Sequence, residues 1–254
     1  TFFVVCGNVF SEGPTNEHIL AEVDQPERPL YTQHMAWPFD TNEPMMFDAG
    51  TLTFQEFVMS EPLPLATIQN SVLEFLRGRD DGVVFGAQAV NAYVPEPRMT
   101  QDIDLLSTRA AELAEELRDH LSQQFHVAIR VREIGEGRGY RLFQIQKSGN
   151  RHFVDVRPVN SLPPARRVAG VLVMAPAGLI ASKVISYHRR RGKPKSGTDW
   201  RDIAMLLLQF PELKQASGPV ADCIRLAGVE AEVLAAWDQL VAQEIQAPDD
   251  EDEF

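Results

Sequence analysis

"VVFGAQAVNAYVPEPRMTQDIDLLS", residues 83–107, decides how the chain is read. Three apolar residues run into a small-residue turn, Gly86-Ala87-Gln88-Ala89, and the pattern continues as a short helix that stops at Pro95. A strand, a tight turn and a helix N-terminus in that order let the backbone at Gly86 come close to a ligand and turn free N–H groups toward a phosphate. "DIDLLS", 102–107, then reads as a strand. Side chains two apart on a strand share a face, so Asp102 and Asp104 project together while Ile103 and Leu105 take the apolar side. Like charges this close raise each other's pKa. A divalent cation relieves the repulsion, and an oxygen-only donor set suits Mg²⁺ or Mn²⁺.

Two solvated acids at a strand end would give the same short pattern, so the rest of the chain matters. Asp155, in "HFVDVRP", sits inside an apolar strand, where an unpaired carboxylate is costly. Phe153 and Asp155 share one face of that strand, and Val154 and Val156 the other. Carboxylates from neighbouring strands would make a metal cradle of Asp102, Asp104 and Asp155. Two ions about 3.5–4 Å apart would activate an attacking hydroxyl and stabilise departing pyrophosphate. No GxxxxGK[ST] loop is present, which disfavours a P-loop kinase.

Outward from this stretch the chain divides into regions. "ATIQNSVLEFLRGR" predicts an amphipathic helix before it. After it, Ser107 or Thr108 is placed to cap a helix over "RAAELAEELRDHLSQQF". "HVAIRVRE", "YRLFQIQK", "RHFVDVRPV" and "GVLVM" predict strands joined by Gly-containing turns. Four helices follow: "PAGLIASKVISYHRRR", "TDWRDIAMLLLQF", "GPVADCIRLAG" and "EAEVLAAWDQLVAQEI". Trp200 and Phe210 fall on helical spacing and are expected in the core. The expected fold class is α/β in the α+β sense: a small mixed sheet flanked by helices, 59–174, then a C-terminal helical bundle, 175–246. Residues 1–58 lack a sustained period and read as an irregular acidic extension. Met59 looks like a fresh start, and 247–254 is an acidic tail.

The stretch "GAQAVNAYVPEPRMTQDIDLL" resembles the signature of the DNA polymerase β-type nucleotidyltransferases, and within them the AbiEii-like and MenT-like bacterial toxin group. That pattern is a Gly/Ser-rich turn, a helix, then an "R-x-T-x-D-I-D-L" strand, here "RMTQDIDLL" with Arg98 and Thr100 in place. A lysine in "LIASKVISYHRRR" and the later "DWRDIAMLL" extend the likeness over roughly 68–210. The resemblance implies a nucleotidyltransferase core that binds an NTP. Asp102, Asp104, Asp155 and Lys183 would be catalytic, with Lys183 on the triphosphate. Gly86, Ala87, Arg98, Thr100, Asp199 and Asp202 would complete the nucleotide site. The turn departs from the pattern: it reads "GAQA" rather than Gly-Gly or Gly-Ser, so one hydroxyl contact to phosphate is missing.

The 254 residues carry a net charge of −12, unevenly spread. The first 58 hold −8 and the tail −5, leaving +1 for the middle. Overall acidity therefore says little about what the middle binds. "YHRRRGKPK", 187–195, is a dense basic patch. Arg189, Arg190, Arg191 and Lys193 would grip phosphates of an RNA acceptor, or simply complement a helix C-terminus. A tRNA or another RNA and a small molecule such as an antibiotic both stand open as acceptors, as does a catalytically silent nucleotide-binding module. A toxin would have a cognate antitoxin, and the acidic 1–58 could itself lie over the basic helix. No apolar run is long enough to span a bilayer, there is no basic n-region, and Cys6 and Cys223 form no metal or disulfide framework, so the expected compartment is the cytoplasm.

Overall fold

The computed structural model describes residues 65–146 and 149–247. The expected extension 1–58, the start at Met59 and all but residue 247 of the tail lie outside them. In α1, Leu65–Leu76, the buried Ile68, Val72 and Leu76 recur every fourth residue and form one stripe. β1, Val83–Phe85, is buried throughout and leads directly into α2, Gly86–Asn91. β2, Ile103–Ser107, follows, then α3, Ala110–Phe125, which buries Ala110, Leu113, Ala114, Leu117 and Leu121. Ser107 does not cap α3. Its Oγ accepts from the Arg109 N–H at 3.1 Å, turning the chain one residue before the helix begins.

β3, Ile129–Ile134, β4, Gly139–Gln146, and β5, Gly149–Pro158, fall where the alternation predicts them. β6, Ala165–Val168, was not expected; it forms an antiparallel pair with β7, Val171–Met174. One seven-stranded mixed sheet results, in the order β3-β4-β5-β2-β1-β7-β6. The central pairings β2–β5 and β1–β7 are parallel, and β1–β2 is antiparallel. Ile103, Leu105, Val154 and Val156 point to one face and are fully buried, and α1 and α3 pack on the sheet. Each such side chain contributes about 1.5–3 kcal/mol by leaving water. This apolar layer holds the central strands in register and leaves Asp104 and Asp155 on the other face.

The remaining helices are α4, Pro176–Arg189; α5, Lys195–Gln209; α6, Pro219–Leu226; and α7, Ala231–Ala242. α4 packs against α5, α6 and α7, which makes it the centre of the helical half. Trp237 of α7 is fully buried, with its indole N–H donating to the Gln215 carbonyl at 3.0 Å. Trp200, expected in the core, is instead exposed on α5. Phe210 lies just past the end of α5, half-buried, edge-on to Tyr93. Among the described residues, no helix is long and apolar enough to cross a membrane.

Candidate active site

The strand register builds the site. Phe85 of β1 pairs with Asp104 of β2, Asp104 with Asp155 of β5, and Asp155 with Arg141 of β4. These four residues form one row across the sheet, and paired residues share a face. A cavity of about 480 Å³ opens over this row. Its far wall comes from α4 and the first turns of α5, with Ser182, Lys183, Ser186, Arg190, Lys195, Thr198 and Asp199. Asp102, just before β2, also lines it, two residues from Asp104 as the strand geometry requires.

Gly86 has a left-handed φ of +73°, and a Cβ there would collide with the Asp104 carboxylate. Both facts require glycine at this turn. The close approach seen at Gly86 is to the Asp104 side chain. Burial, with added repulsion from Asp102 and Asp155, pushes the Asp104 carboxyl up to about 6, against the pull of Arg157 and Lys183. Arg157 lies over the Phe85 ring, 5.0 Å from its centroid, and its Nη2 is 3.4 Å from Asp104 Oδ1. Asp155 is held differently. Arg141 grips it in a two-pronged fork, Nε to Oδ1 and Nη2 to Oδ2, both 2.6 Å.

A second cluster lies behind the cavity. Lys183 Nζ, nearly buried, donates to Asp202 Oδ2 at 2.7 Å and stands 3.9 Å from Asp199 Oδ1. Asp202 is fully buried. Arg98 forks onto it, Nε to Oδ1 at 2.7 Å and Nη2 to Oδ2 at 2.9 Å. Burial by itself would raise the Asp202 carboxyl, but Arg98 and Lys183 outweigh it and hold it below the usual carboxylate range. Arg190 contacts both oxygens of Asp199, at 3.1 and 2.8 Å. The Asn91 side chain clamps the backbone of Arg98, donating to its carbonyl at 2.8 Å and accepting from its N–H at 3.0 Å. The loop between α2 and β2 is therefore anchored at both the backbone and the side chain of Arg98. Thr100 lines the cavity, and its carbonyl accepts from Gln69 Nε2 at 2.9 Å.

The cavity thus collects Gly86, Ala87, Arg98, Thr100, Asp102, Asp104, Asp155, Lys183, Arg190 and Asp199 from the residues singled out in the sequence. Asp202 supports it from behind as the counterion of Lys183 and Arg98. Arg189, Arg191 and Lys193 point outward and are exposed, so the basic patch is divided between cavity and surface. The three-carboxylate cradle is not assembled as expected: the carboxylates share one wall, but Arg141 occupies Asp155. Among the described residues, no group of three or more His, Cys, Asp or Glu is set to hold one metal ion. The sequence reading missed Arg141 and Arg157. Alternation along "YRLFQIQ" gives Arg141 no signal beyond being polar, because its partner is set by cross-strand register.

The cavity wall carries six cationic side chains against four acidic ones, which favours a polyanionic ligand. No curated protein matches the chain. Among solved structures, the Megavirus polyadenylate synthase is 13% identical with a TM-score of 0.49; the match covers 68% of this chain and 41% of that one. JHP933 from Helicobacter pylori is 10% identical with a TM-score of 0.49, over 70% of this chain and 88% of that one. ANT(2")-Ia in complex with adenylyl-2"-tobramycin is 15% identical with a TM-score of 0.40, over 70% and 96%. The family model for the nucleotidyl transferase AbiEii toxin of type IV toxin–antitoxin systems matches residues 78–252, from the strand before the Gly86 turn through the helical half. The chain belongs to this AbiEii nucleotidyltransferase family.

Proposed function

We propose that the cavity transfers a nucleoside monophosphate from an NTP to a hydroxyl of an RNA acceptor, with tRNA the leading candidate, in a divalent-metal-dependent reaction. The observation that carries this reading is the Phe85–Asp104–Asp155–Arg141 row facing a cation-lined wall on α4 and α5. Asp102 and Asp104 fit a hard cation: both are oxygen donors, they sit two residues apart, and among the described residues the ion pair of Asp104 is one long contact to Arg157. Mg²⁺ or Mn²⁺ held there would neutralise charge on the reacting phosphate. Asp155 contributes by orienting Arg141.

The chain's own groups do the positioning. Lys183 and Arg190 stand on the wall opposite Asp104, where they can take the oxygens of a triphosphate. Each is held by a carboxylate, so each is preset before the ligand arrives. Arg98 and Asn91 hold the loop that closes one side. Such a site works by placing charge where it develops during phosphoryl transfer and by fixing the attacking group in line. Arg189, Arg191 and Lys193 are exposed next to Arg190 in the chain, and such a basic cluster would suit the phosphates of an RNA acceptor. The same reading makes the protein the toxin of a pair, with a cognate antitoxin as partner and the cytoplasm as its compartment.

The test is incubation with labelled NTPs, Mg²⁺ and total tRNA, together with acceptor affinity at several salt concentrations. Neutralising Arg189, Arg191 and Lys193 should weaken RNA binding and reduce the slope of log K in log salt by up to about 0.9 per lost duplex phosphate contact. NTP affinity should stay unchanged, because Lys183 and Arg190 are untouched. A flat salt response in both proteins would contradict the RNA acceptor and favour a small molecule.

A further inference from the structure

Arg141 enters the site by register: it sits directly across from Asp155 on β4, and Asp155 sits directly across from Asp104 on β2. Its fork takes both carboxylate oxygens of Asp155, at 2.6 Å each. The Arg141 side chain is about one-third exposed and Asp155 only 11%, so the pair is partly withdrawn from water and the guanidinium reaches the cavity. The two N–H groups engaged with Asp155 leave three free donors on the same planar head. Among the described residues, Asp102 and Asp104 have no such fork.

We propose that Arg141 takes the place of a second metal ion, so that the site binds one divalent cation, on Asp102 and Asp104, and uses the guanidinium as its second fixed positive charge. This rests on the metal-dependent reading above and specifies it. A second ion would need oxygens from Asp155, and the fork already takes one lone pair on each and balances the carboxylate's charge. To load that ion the protein would have to release a charge-assisted, bidentate pair, or seat a dication against the guanidinium on a carboxylate whose charge is already balanced. An arginine suits the role because it stays charged at every working pH and its planar head matches both the carboxylate on one edge and phosphate oxygens on the other. Asp155, with both oxygens accepting from a cation, is then a positioning residue for Arg141 rather than a proton acceptor.

The experiment counts ions. The full chain, with one equivalent of the α,β-methylene analogue of whichever common ribonucleoside triphosphate binds tightest, is titrated with Mn²⁺. Free Mn²⁺ is followed by electron paramagnetic resonance against an analogue-only control. Wild type should bind one ion per bound nucleotide. Arg141→Gln should bind a second, weaker one, and Arg141→Lys, which keeps the charge, should stay nearer one. Two ions in wild type would overturn the proposal while leaving metal dependence standing. One ion in both wild type and Arg141→Gln would also overturn it, because Arg141 would then not be what excludes the second. No bound ion in wild type would remove the metal-dependent reading itself. A wild-type count of two or of none overturns the proposal whichever variants fold, and circular dichroism and thermal melting show which variants do.

Discussion

Gly86 and Asp104 show how one residue can determine its neighbour's chemistry. A Cβ at 86 would strike the Asp104 carboxylate, and the left-handed backbone adds strain for any other residue. Gly86→Ala should cost about 1–2 kcal/mol of stability through the backbone and displace Asp104, so nucleotide transfer should fall much further than the melting temperature. Parallel melting curves and transfer rates check this. Asp104 itself should make the metal-free protein pH-sensitive. Its carboxyl is raised from 3.8 to about 6 in the folded chain, so its favourable contribution is full below pH 4 and is lost as pH rises through 6. Asp104→Asn, which mimics the protonated form, should match wild type near pH 4 and exceed it by up to about 3 kcal/mol at pH 7 without metal. Denaturant unfolding at both pH values measures the difference. Mg²⁺ should narrow it by stabilising wild type only. At this scale much of the site was legible in the sequence. Spacing within "DIDLL" brings the two acids to one face, and the turn glycine is readable from its neighbours. Arg141 and Arg157 were not, because an arginine's partner depends on which strand lies beside it.

Among elements, the joint between α4, α5 and the loop after α2 depends on buried charge. Lys183, Asp202 and Arg98 come from all three and meet at a fully buried carboxylate. Removing that carboxylate leaves the buried ammonium without its 2.7 Å partner and on the longer 3.9 Å contact to Asp199. Asp202→Ala should therefore cost about 3–5 kcal/mol, whereas Asp199→Ala should cost less, since its partner Arg190 is over one-third exposed and can reach water. Urea unfolding of the two variants checks the order. An Asp202→Ala protein as stable as wild type would mean that this residue serves only the ligand. The same buried acids explain why Trp200 was misplaced. The inward stripe of α5 runs through Asp199, Asp202, Ile203 and Leu206, and a reading by hydrophobicity gives such a stripe to the tryptophan one position away. β6 escaped for a related reason. It is a short edge strand pairing only with β7, and its Arg166 and Arg167 are exposed, so it has no apolar alternation to read.

Taken as a whole molecule, all seven strands of the sheet and the helical half that packs on itself lie within residues 65–247, and the family match begins at 78. A chain beginning at Met59 should fold cooperatively and keep its nucleotide affinity. Aggregation or a non-cooperative melt would show that residues 1–58 belong to the core. The mixed sheet followed by helices was readable from periodicity, because the apolar strands are short and regular and α3, α4 and α5 carry clear stripes. The division of the basic patch was not: sequence adjacency puts Arg189, Arg190 and Arg191 together, whereas the end of α4 turns Arg190 into the cavity and leaves its neighbours outside. The most direct test of metal-dependent transfer at Asp102 and Asp104 is label transfer from α-phosphate-labelled NTPs to tRNA by wild type and Asp104→Asn. Wild type should label the RNA in a Mg²⁺-dependent way with matching pyrophosphate release, while the folded variant loses at least about 10²-fold in rate, the scale of losing one key charge-stabilising group. Transfer by Asp104→Asn at the wild-type rate would contradict the assignment.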